Sequence, residues 1–381
     1  MMTMTAMTID INLPAIPDTA LDLNASLTAA QLTVTIFFGG FAVGQLFWGP
    51  LSDRLGRKPG VLIGTVIYVI ATIGCALAPD MQSLLALRAV QGFGAGAGSV
   101  LGRAIIRDLF EGPQMARMLS LALAAFITAP IVAPSIGAMI LSVASWRWVF
   151  GFLAVYGVVM LALVACFLEE SLQARDRRTL GAAQILGGFA AVFRHRASRP
   201  WAIVVTLLFG TLTVYLTNSS AVLMQGYAMT AAEFGLAFAL VAICSSAGNL
   251  VNSRLVHRVP LTRLIRRALL AAMVAAAFAL ALAATGLGGV WSLVVVIGLF
   301  FTAFGLVAAN GTTLALQPHA TITGSAAAAL GFAQTVIPAL IGGLAALFYD
   351  GTAVPMLATM LVLAGVSWVV AAGAATGDDT E

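Results

Sequence analysis

Eleven long apolar runs, bounded by polar residues, proline or glycine, limit how this chain can fold. They lie at about 30–51, 60–79, 82–106, 118–142, 147–168, 200–224, 232–253, 265–286, 290–315, 325–348 and 353–373. A helix of about 20 residues crosses the hydrocarbon core of a bilayer, so each run is long enough to span a membrane. Most runs are apolar on every face, as expected of helices that contact lipid or one another. The sequence therefore predicts an all-α integral membrane protein.

Charged residues are too scarce for a water-soluble fold. Of 381 residues, 61% are hydrophobic and 9% are Asp, Glu, Lys or Arg, whereas soluble domains are about 25% charged. Disorder is excluded as well, because it requires low hydrophobicity and high net charge. At roughly 20 residues per crossing, plus loops, the length allows about twelve membrane helices.

A polar stretch at 169–199 separates the first five runs from the last six. It predicts two helical halves, as in transporters built from repeats. The predicted parts are an N-terminal bundle (1–168), a cytoplasmic linker (169–199), a C-terminal bundle (200–373) and a polar tail (374–381). Within the linker, residues 180–193 fit either a short helix on the membrane surface or a plain linker. The pairs Arg54-Leu55 and Arg254-Leu255, 200 residues apart, are a faint internal repeat.

Basic residues predict the orientation, because Lys and Arg are enriched in cytoplasmic loops. Seventeen of the 19 cations fall in or beside alternate loops and the linker, and the intervening loops contain only Arg147. We therefore expect a monomeric, multi-pass protein of the cell inner membrane, with the lipid bilayer and a small lipophilic substrate as its partners and with its linker and C-terminus cytoplasmic. Outside the linker, the clustered cations are Arg54, Arg57, Lys58, Arg103, Arg107, Arg117, Arg254, Arg258, Arg263, Arg266 and Arg267.

Two ionisable residues, Asp10 and Arg88, fall inside the predicted membrane zone, where burial is costly unless the charge is paired or hydrated. Asp10 precedes Asp18 by eight positions, and Arg88 follows Asp80 by eight. At ~1.5 Å per residue, both would lie about 12 Å below the same outer surface. One hypothesis is a shared cavity in which protonation of Asp10 is coupled to substrate movement. The alternatives are a static ion pair, or an arginine that binds backbone carbonyls.

The loop Gly49–Lys58 combines residue types with distinct physical roles. Gly49 and Gly56 permit close packing and a sharp turn, and Asp53 can bind a helix N-terminus or a neighbouring cation. Three cations hold the loop at the inner face. An ordinary positive-inside loop is the alternative interpretation.

This loop resembles the signature loop between helices 2 and 3 of the major facilitator superfamily, with matches at Gly49, Asp53, Arg54, Gly56, Arg57 and Lys58. Arg88-Ala-Val-Gln91-Gly92 resembles the helix 4 motif of proton-coupled antiporters in that family. The segment 129–137 (APIVAPSIG) is similar to the helix 5 antiporter motif of its Bcr/CflA drug-resistance group. The likeness is dense over 9–172 and loose afterwards.

The resemblance implies a twelve-helix fold of two six-helix halves that exchanges drug for protons. It implies that Asp53 and its cations latch the halves on the cytoplasmic side, and that Arg88 relays protons. Helix 5, with Pro130, Pro134 and Gly137, would bend and limit leakage. A kinked packing helix is the alternative.

The chain departs from the family pattern at its start. Family members usually have ten or more further apolar residues before the aspartate of the first helix, whereas Met1 lies nine residues ahead of Asp10. The expectation is a shortened first helix or a misassigned start. A non-functional truncated transporter is the corresponding alternative.

The second half has no ionisable group inside its spans, only scattered amides beside aromatic residues. Such a lining suits lipophilic, neutral or weakly cationic compounds, although each amide can instead form an interhelical hydrogen bond. We predict proton-coupled export of small lipophilic compounds; the alternative substrate is a polar metabolite such as a sugar or amino acid. The candidate cavity residues are Asn12, Gln45, Gln91, Tyr215, Asn218 and Gln334.

Other chemistries find no support in the sequence. Its three cysteines and three histidines are scattered, without metal-ligand spacing, and it contains no phosphate-binding loop of the G-x-x-x-x-G-K-[ST] type. One aspartate and one arginine at membrane depth are too few for a membrane enzyme. We expect no metal, no nucleic-acid partner and no cofactor other than the coupling proton.

Overall fold

The structure is a computed structural model that describes residues 1–172 and 182–374. Every regular element in these two ranges is helical. The α-helices are α1 Met4–Asp10, α2 Ile16–Asp22, α3 Leu27–Leu55, α4 Arg57–Ala76, α5 Met81–Leu109, α6 Gly112–Leu141, α7 Arg147–Phe167, α8 Ala182–Arg194, α9 Arg199–Ser220, α10 Ala231–Leu255, α11 Leu261–Thr285, α12 Gly289–Leu316, α13 Thr323–Leu347 and α14 Val354–Ala374.

Each of the eleven predicted apolar runs coincides with one long helix, from α3 to α7 and from α9 to α14. Ten helices of the described ranges are long and apolar enough to cross a membrane, and α6 adds the shorter apolar stretch Thr128–Leu141. The prediction of an all-α, multi-pass membrane fold is therefore confirmed. The exact count of twelve crossings stays a prediction.

The chain divides into two compact units. Unit 1 comprises Met1–Gly181 with Thr230–Gly235, and unit 2 comprises Ala182–Met229 with Leu236–Glu381. The boundary between them lies inside the predicted linker 169–199, of which residues 173–181, including three of its arginines, are outside the described ranges.

Short side chains allow α3 and α5 of unit 1 to approach closely. Gly40 and Gly44 of α3 face the backbone carbonyls of Ala89 and Phe93, and Gly92 of α5 faces the carbonyl of Phe37. A side chain at any of these glycines would occupy the space of the opposing backbone. In lipid, where apolar burial does not drive helices together, such close contact provides the van der Waals packing that holds them.

The first helical region of unit 1 is broken rather than continuous. After α1, a turn of 3-10 helix at Leu13–Ala15 leads into α2, and Pro14 and Pro17 occupy the starts of these two segments. Gly137 of α6 lies directly against the Ile11 carbonyl and the Pro14 ring. The small residue of the predicted helix 5 motif therefore accommodates the break in the first helix.

Pro130 and Pro134 lie inside α6, which is a continuous helix from Gly112 to Leu141. Pro134 is buried and Pro130 is half-buried. Both lack the backbone N–H that an uninterrupted helix would use. The predicted bending and leak-limiting role of this helix stays a prediction.

Polar contacts join the ends of the helices in unit 1. Asp22, at the end of α2, accepts hydrogen bonds from Trp146 Nε1 at 3.0 Å and Arg147 Nη1 at 2.7 Å. Arg147 also donates to the Ala78 carbonyl at 3.1 Å. Asp80 caps α5 by accepting from the Ser83 N–H at 2.8 Å, and this hydrogen bond holds the pKa of Asp80 below its usual value.

Unit 2 is organised around α9, which packs on α12, α13 and α14, while α11 packs on α12 and α14. At its end, α9 continues into one turn of π-helix, Ala221–Gly226. A reciprocal amide contact joins α10 to α12, since Asn310 Nδ2 donates to Asn252 Oδ1 at 2.6 Å. The structure therefore shows Asn310 in an interhelical hydrogen bond.

The short helix predicted at 180–193 is present as α8, Ala182–Arg194. Gly188 lies against the backbone of Ser325, and the Phe189 ring meets the Phe332 ring edge-on at 5.6 Å between centroids. The plain-linker alternative is therefore wrong for residues 182–193, while the position of this helix on the membrane surface stays a prediction. Its apolar face packs on α13 of the same unit.

We expect Gly40→Ala to lower the thermal midpoint of the purified protein, because the added methyl group meets the Ala89 carbonyl across the α3–α5 contact. The neighbouring Gly39 faces open space and provides the matched control. Alanine is about 1 kcal/mol better than glycine in a helix, so Gly39→Ala should match or exceed the parent. Equal midpoints for the two variants, measured by thermal unfolding in detergent, would contradict this packing.

Candidate functional site

Arg57 is the centre of a polar cluster at one end of unit 1. Its Nη1 donates to Asp53 Oδ1 at 2.6 Å and to Ser52 Oγ at 2.7 Å, and its Nε donates to Asp108 Oδ2 at 2.9 Å. The side chains of the two ion pairs are only 12–20% exposed. One guanidinium therefore connects the end of α3, the start of α4 and the end of α5 through charge-assisted bonds.

Glu170 caps the start of α4 from a distant part of the chain. Its Oε1 accepts from the Arg57 N–H at 2.8 Å, and its Oε2 accepts from the Lys58 N–H at 3.3 Å. A carboxylate at this position complements the positive end of the helix dipole. Lys58 Nζ in turn donates to the Ala165 carbonyl near the end of α7 at 3.0 Å.

Gly56 makes this cap possible. Its φ of +109° is a conformation that other residues rarely adopt. A Cβ at Gly56 would also overlap the Glu170 carboxylate. The glycine therefore serves both the turn between α3 and α4 and the close approach of the acid.

The predicted loop residues separate into two groups. Asp53, Gly56, Arg57 and Lys58 belong to the cluster, whereas Arg54 is exposed and Gly49 is half-buried. Sequence reasoning did not identify the partners of the cluster, Ser52, Asp108 and Glu170. The sequence did contain a signal for two of these partners, because each is an acid that lies just beyond the end of another apolar run. All these contacts lie within unit 1, so the latch between halves stays a prediction.

Arg88, in α5, is completely buried. Its Nη1 donates to Gln91 Oε1 at 2.7 Å and its Nε to the Thr33 carbonyl at 3.3 Å. The guanidinium carbon lies 4.7 Å from the centre of the Phe37 ring and 5.7 Å from that of Phe150. Aromatic faces attract a cation, so these rings partly replace its lost hydration.

Gln91 extends the arginine site into a buried polar network. Its Nε2 donates to Thr72 Oγ1 at 2.8 Å, and Thr72 Oγ1 donates to the Tyr68 carbonyl at 2.6 Å. The Tyr68 hydroxyl lies 2.7 Å from Thr8 Oγ1. These hydrogen bonds connect α5 to α1 through α4. Each group in the network provides a hydrogen-bond partner for a neighbour that water cannot reach.

Asp10 and Arg88 do not form an ion pair in the described structure, although both side chains are buried. A static Asp10–Arg88 pair is therefore not the arrangement seen here. Arg88 instead donates to one backbone carbonyl, that of Thr33, and to the amide oxygen of Gln91. Arg88 Nη2 has no hydrogen-bond partner among the described residues.

A small void lies beside the arginine site, between the segment that follows α1 and helices α2, α3, α5 and α7. Asn12, Thr19, Thr33 and Phe150 contribute to its wall, and the last two also contact Arg88. Asn12 Oδ1 is buried without a hydrogen-bond partner in the described ranges. Of the six candidate cavity residues, Asn12 and Gln91 thus lie near Arg88, while Gln45 is half-buried elsewhere on α3.

The other candidates lie in unit 2. Tyr215 stacks on Phe238 at 5.5 Å and packs on Phe301 at 5.2 Å between ring centroids. Asn218 donates to the Val214 carbonyl of its own helix at 2.8 Å. Gln334, on α13, is half-buried, and its Nε2 has no partner among the described residues.

Sequence reasoning missed two hydroxyl groups on α9. The side chains of Thr217 and Ser219 are completely buried, and neither has a hydrogen-bond partner within the described ranges. The available signal was the polar run 217–220 (TNSS) near the end of an apolar helix. With Tyr215 and Asn218, these residues give α9 a polar and aromatic segment next to its π-helical turn.

The fold and these sites define a multi-pass α-helical membrane transporter. The family model for the Major Facilitator Superfamily matches residues 1–346, and the chain belongs to this family.

Two relatives and one solved structure illustrate the similarity. The chain is 31% identical over 358 residues to the uncharacterized MFS-type transporter YdgK of Bacillus subtilis, covering 93% of this chain and 89% of the relative. It is 30% identical over 352 residues to a bicyclomycin resistance protein homolog of Haemophilus influenzae, covering 92% and 88%. A crystal structure of a D-xylose-proton symporter superposes with a TM-score of 0.74 at 16% identity, covering 96% and 95%, and supports the fold alone.

We expect Glu170→Ala to lower the thermal midpoint, because the N–H groups of Arg57 and Lys58 lose their acceptor. Loss of a helix cap costs about 1 kcal/mol. Glu169→Ala removes the same charge from the adjacent exposed position and should change the midpoint little. The cap would be refuted if thermal unfolding in detergent gave both variants the same midpoint.

Proposed function

We propose that this protein exports small lipophilic compounds across the cell inner membrane in exchange for protons. The main observation in favour of this proposal is that Asp10 and Arg88 are both buried in unit 1, yet form no ion pair in the described structure. The name of the relative from Haemophilus influenzae, a bicyclomycin resistance protein homolog, supports drug efflux. We further propose that the protein acts as a monomer with a cytoplasmic linker and C-terminus.

Proton coupling follows from the cost of burying charge. A carboxylate taken out of water must be paired, hydrated or protonated. Asp10 has no cation partner in the described structure, so protonation is the remaining way for it to become neutral. Opening of the site to water, or approach of Arg88, would favour release of that proton. Binding and release at Asp10 can thereby alternate with binding and release of substrate.

The surroundings of Arg88 suit a second role in this exchange. Gln91 and the Thr33 carbonyl fix the guanidinium, while its Nη2 faces no protein acceptor within the described ranges. The void lined by Asn12 lies beside it. We propose that Arg88, held in this position, relays the proton.

Aromatic residues of unit 2 support a lipophilic substrate. Tyr215, Phe238 and Phe301 form one packed aromatic group, and aromatic rings bind apolar or aromatic compounds without a charged partner. The alternative, a polar metabolite such as a sugar or amino acid, is favoured by one observation. The hydroxyls of Thr217 and Ser219 are buried without partners in the described ranges and could bind substrate hydroxyls.

Transport in proteoliposomes tests the proton coupling. An imposed proton gradient should drive a lipophilic fluorescent dye against its concentration gradient in the parent protein, and Asp10→Asn should abolish gradient-driven accumulation while dye still equilibrates. Asp18→Asn removes an exposed acid from α2 and should retain coupling. Undiminished gradient-driven transport by Asp10→Asn would refute the assignment of Asp10.

Substrate competition separates the two substrate classes. Lipophilic dyes and antibiotics should displace one another in the same assay, and Phe301→Ala should weaken their transport more than that of any sugar. Inhibition by sugars or amino acids but by no lipophilic compound would favour the polar-metabolite alternative. Thr217→Val together with Ser219→Ala would then be the more damaging change.

A further inference from the structure

Tyr68 of α4 makes polar contacts in two directions within unit 1. Its backbone carbonyl accepts a hydrogen bond from Thr72 Oγ1 at 2.6 Å, and its hydroxyl lies 2.7 Å from Thr8 Oγ1 of α1. The side chain is completely buried, and its ring packs so closely on Gly157 of α7 that a Cβ there would lie 3.0 Å from a ring carbon. This packing holds the hydroxyl in place against α1.

The directions of these hydrogen bonds follow from the number of hydrogens available, because a hydroxyl carries only one. Thr8 Oγ1 donates its hydrogen to the Met4 carbonyl at 2.6 Å, so Tyr68 is the donor to Thr8. Thr72 Oγ1 donates to the Tyr68 carbonyl and therefore accepts from Gln91 Nε2 at 2.8 Å. Each contact in this chain thus has a defined donor and a defined acceptor.

These directions also orient the Gln91 amide toward Arg88. Because Gln91 Nε2 donates to Thr72, its Oε1 is turned to Arg88 Nη1, from which it accepts at 2.7 Å. If the amide were reversed, its NH2 group would face the guanidinium and two donors would oppose each other. We call the hydrogen bonds from Arg88 through Gln91 and Thr72 to the Tyr68 carbonyl the Arg88 network.

The hydroxyl of Tyr68 holds the helix that carries Asp10. Thr8 lies two residues before Asp10 in α1 and is completely buried. With only seven residues, α1 depends on tertiary contacts for its position, since so short a helix is marginal by itself. One residue of α4 therefore joins α1 through its hydroxyl and the Arg88 network through its carbonyl.

We propose that Tyr68 is a positioning residue for proton exchange, which keeps Asp10 and Arg88 apart while both are buried. This inference rests on the proposed function. An opposite charge close to a carboxylate favours its ionised form, so a permanent pair with Arg88 would prevent Asp10 from taking up a proton. The Tyr68–Thr8 hydrogen bond ties α1 to α4 and thereby delays the approach of the two groups until the helices move.

Removal of single hydroxyls tests this role. Tyr68→Phe keeps the ring against Gly157 but removes the donor. In proteoliposomes, we expect gradient-driven accumulation of a lipophilic dye to fall about fivefold, the effect of one hydrogen bond on an equilibrium, while the dye still equilibrates. Thr8→Val removes the acceptor and should have the same effect. Thr8→Ser keeps the hydroxyl and should retain accumulation.

A double-variant cycle separates the hydrogen bond from other effects of the two changes. Tyr68→Phe combined with Thr8→Val should be no worse than either single variant, because both remove the same contact. Fully additive losses would overturn the inference. If Tyr68→Phe does not yield folded protein, the comparison of Thr8→Val with Thr8→Ser tests the same contact from α1.

Tyr156→Phe is the matched control. The Tyr156 hydroxyl of α7 also contacts the α1 region, at 2.8 Å from Thr3 Oγ1, but this contact lies at the residue that precedes α1 rather than beside Asp10. The control should retain gradient-driven accumulation. Equal losses in Tyr68→Phe and Tyr156→Phe would reduce Tyr68 to general support of α1 and overturn the inference.

The Asp10→Asn variant distinguishes failure of this inference from failure of the proposed function. If Asp10→Asn abolishes gradient-driven accumulation and Tyr68→Phe matches the parent, the proposed function stands and the role of Tyr68 is refuted. If Asp10→Asn retains gradient-driven accumulation, both are refuted.

Discussion

The absence of water from the bilayer interior is the constraint on which the rest of this structure depends. Backbone polar groups must then bond within their own segment, which leaves the helix as the available form for these apolar runs. Hydroxyl side chains follow the same rule, as when Thr72 donates to the Tyr68 carbonyl one turn earlier. Arg88, Asn12, Thr217 and Ser219 are among the residues that depart from this rule, since each has a buried polar atom without a partner in the described ranges, and such positions are where a function is to be sought.

The two units neutralise charge differently. In unit 1, Arg57 pairs with Asp53 and Asp108, and Glu170 caps the start of α4, so the start of α4 is held by the ends of α3 and α5 and by the segment after α7. Among its described residues, unit 2 has one acid, Asp350, although its Arg254-Leu255 pair ends α10 as Arg54-Leu55 ends α3. The repeat thus preserves a helix end in both units, whereas the acidic partners seen around Arg57 belong to unit 1.

Much of the fold was predictable because hydrophobic length is a local property. All eleven apolar runs became helices, and the short helix α8 formed where the sequence allowed it. The break after α1 was harder to predict from the sequence, because Pro14 and Pro17 are compatible with either a kinked or an interrupted helix. Contact between Gly137 and the Ile11 carbonyl decided this point, and it joins residues more than 120 positions apart.

The sequence by itself determined the fold class, the positions of the spans, the family resemblance and which side chains could bear charge inside the membrane. Tertiary structure alone decided their partners. Equal spacing along two helices suggested that Asp10 and Arg88 were paired, yet Arg88 binds Gln91 and Thr33 and lies against Phe37 and Phe150. Depth along a helix follows from counting residues, whereas the direction of a side chain depends on how each helix is rotated and packed against its neighbours.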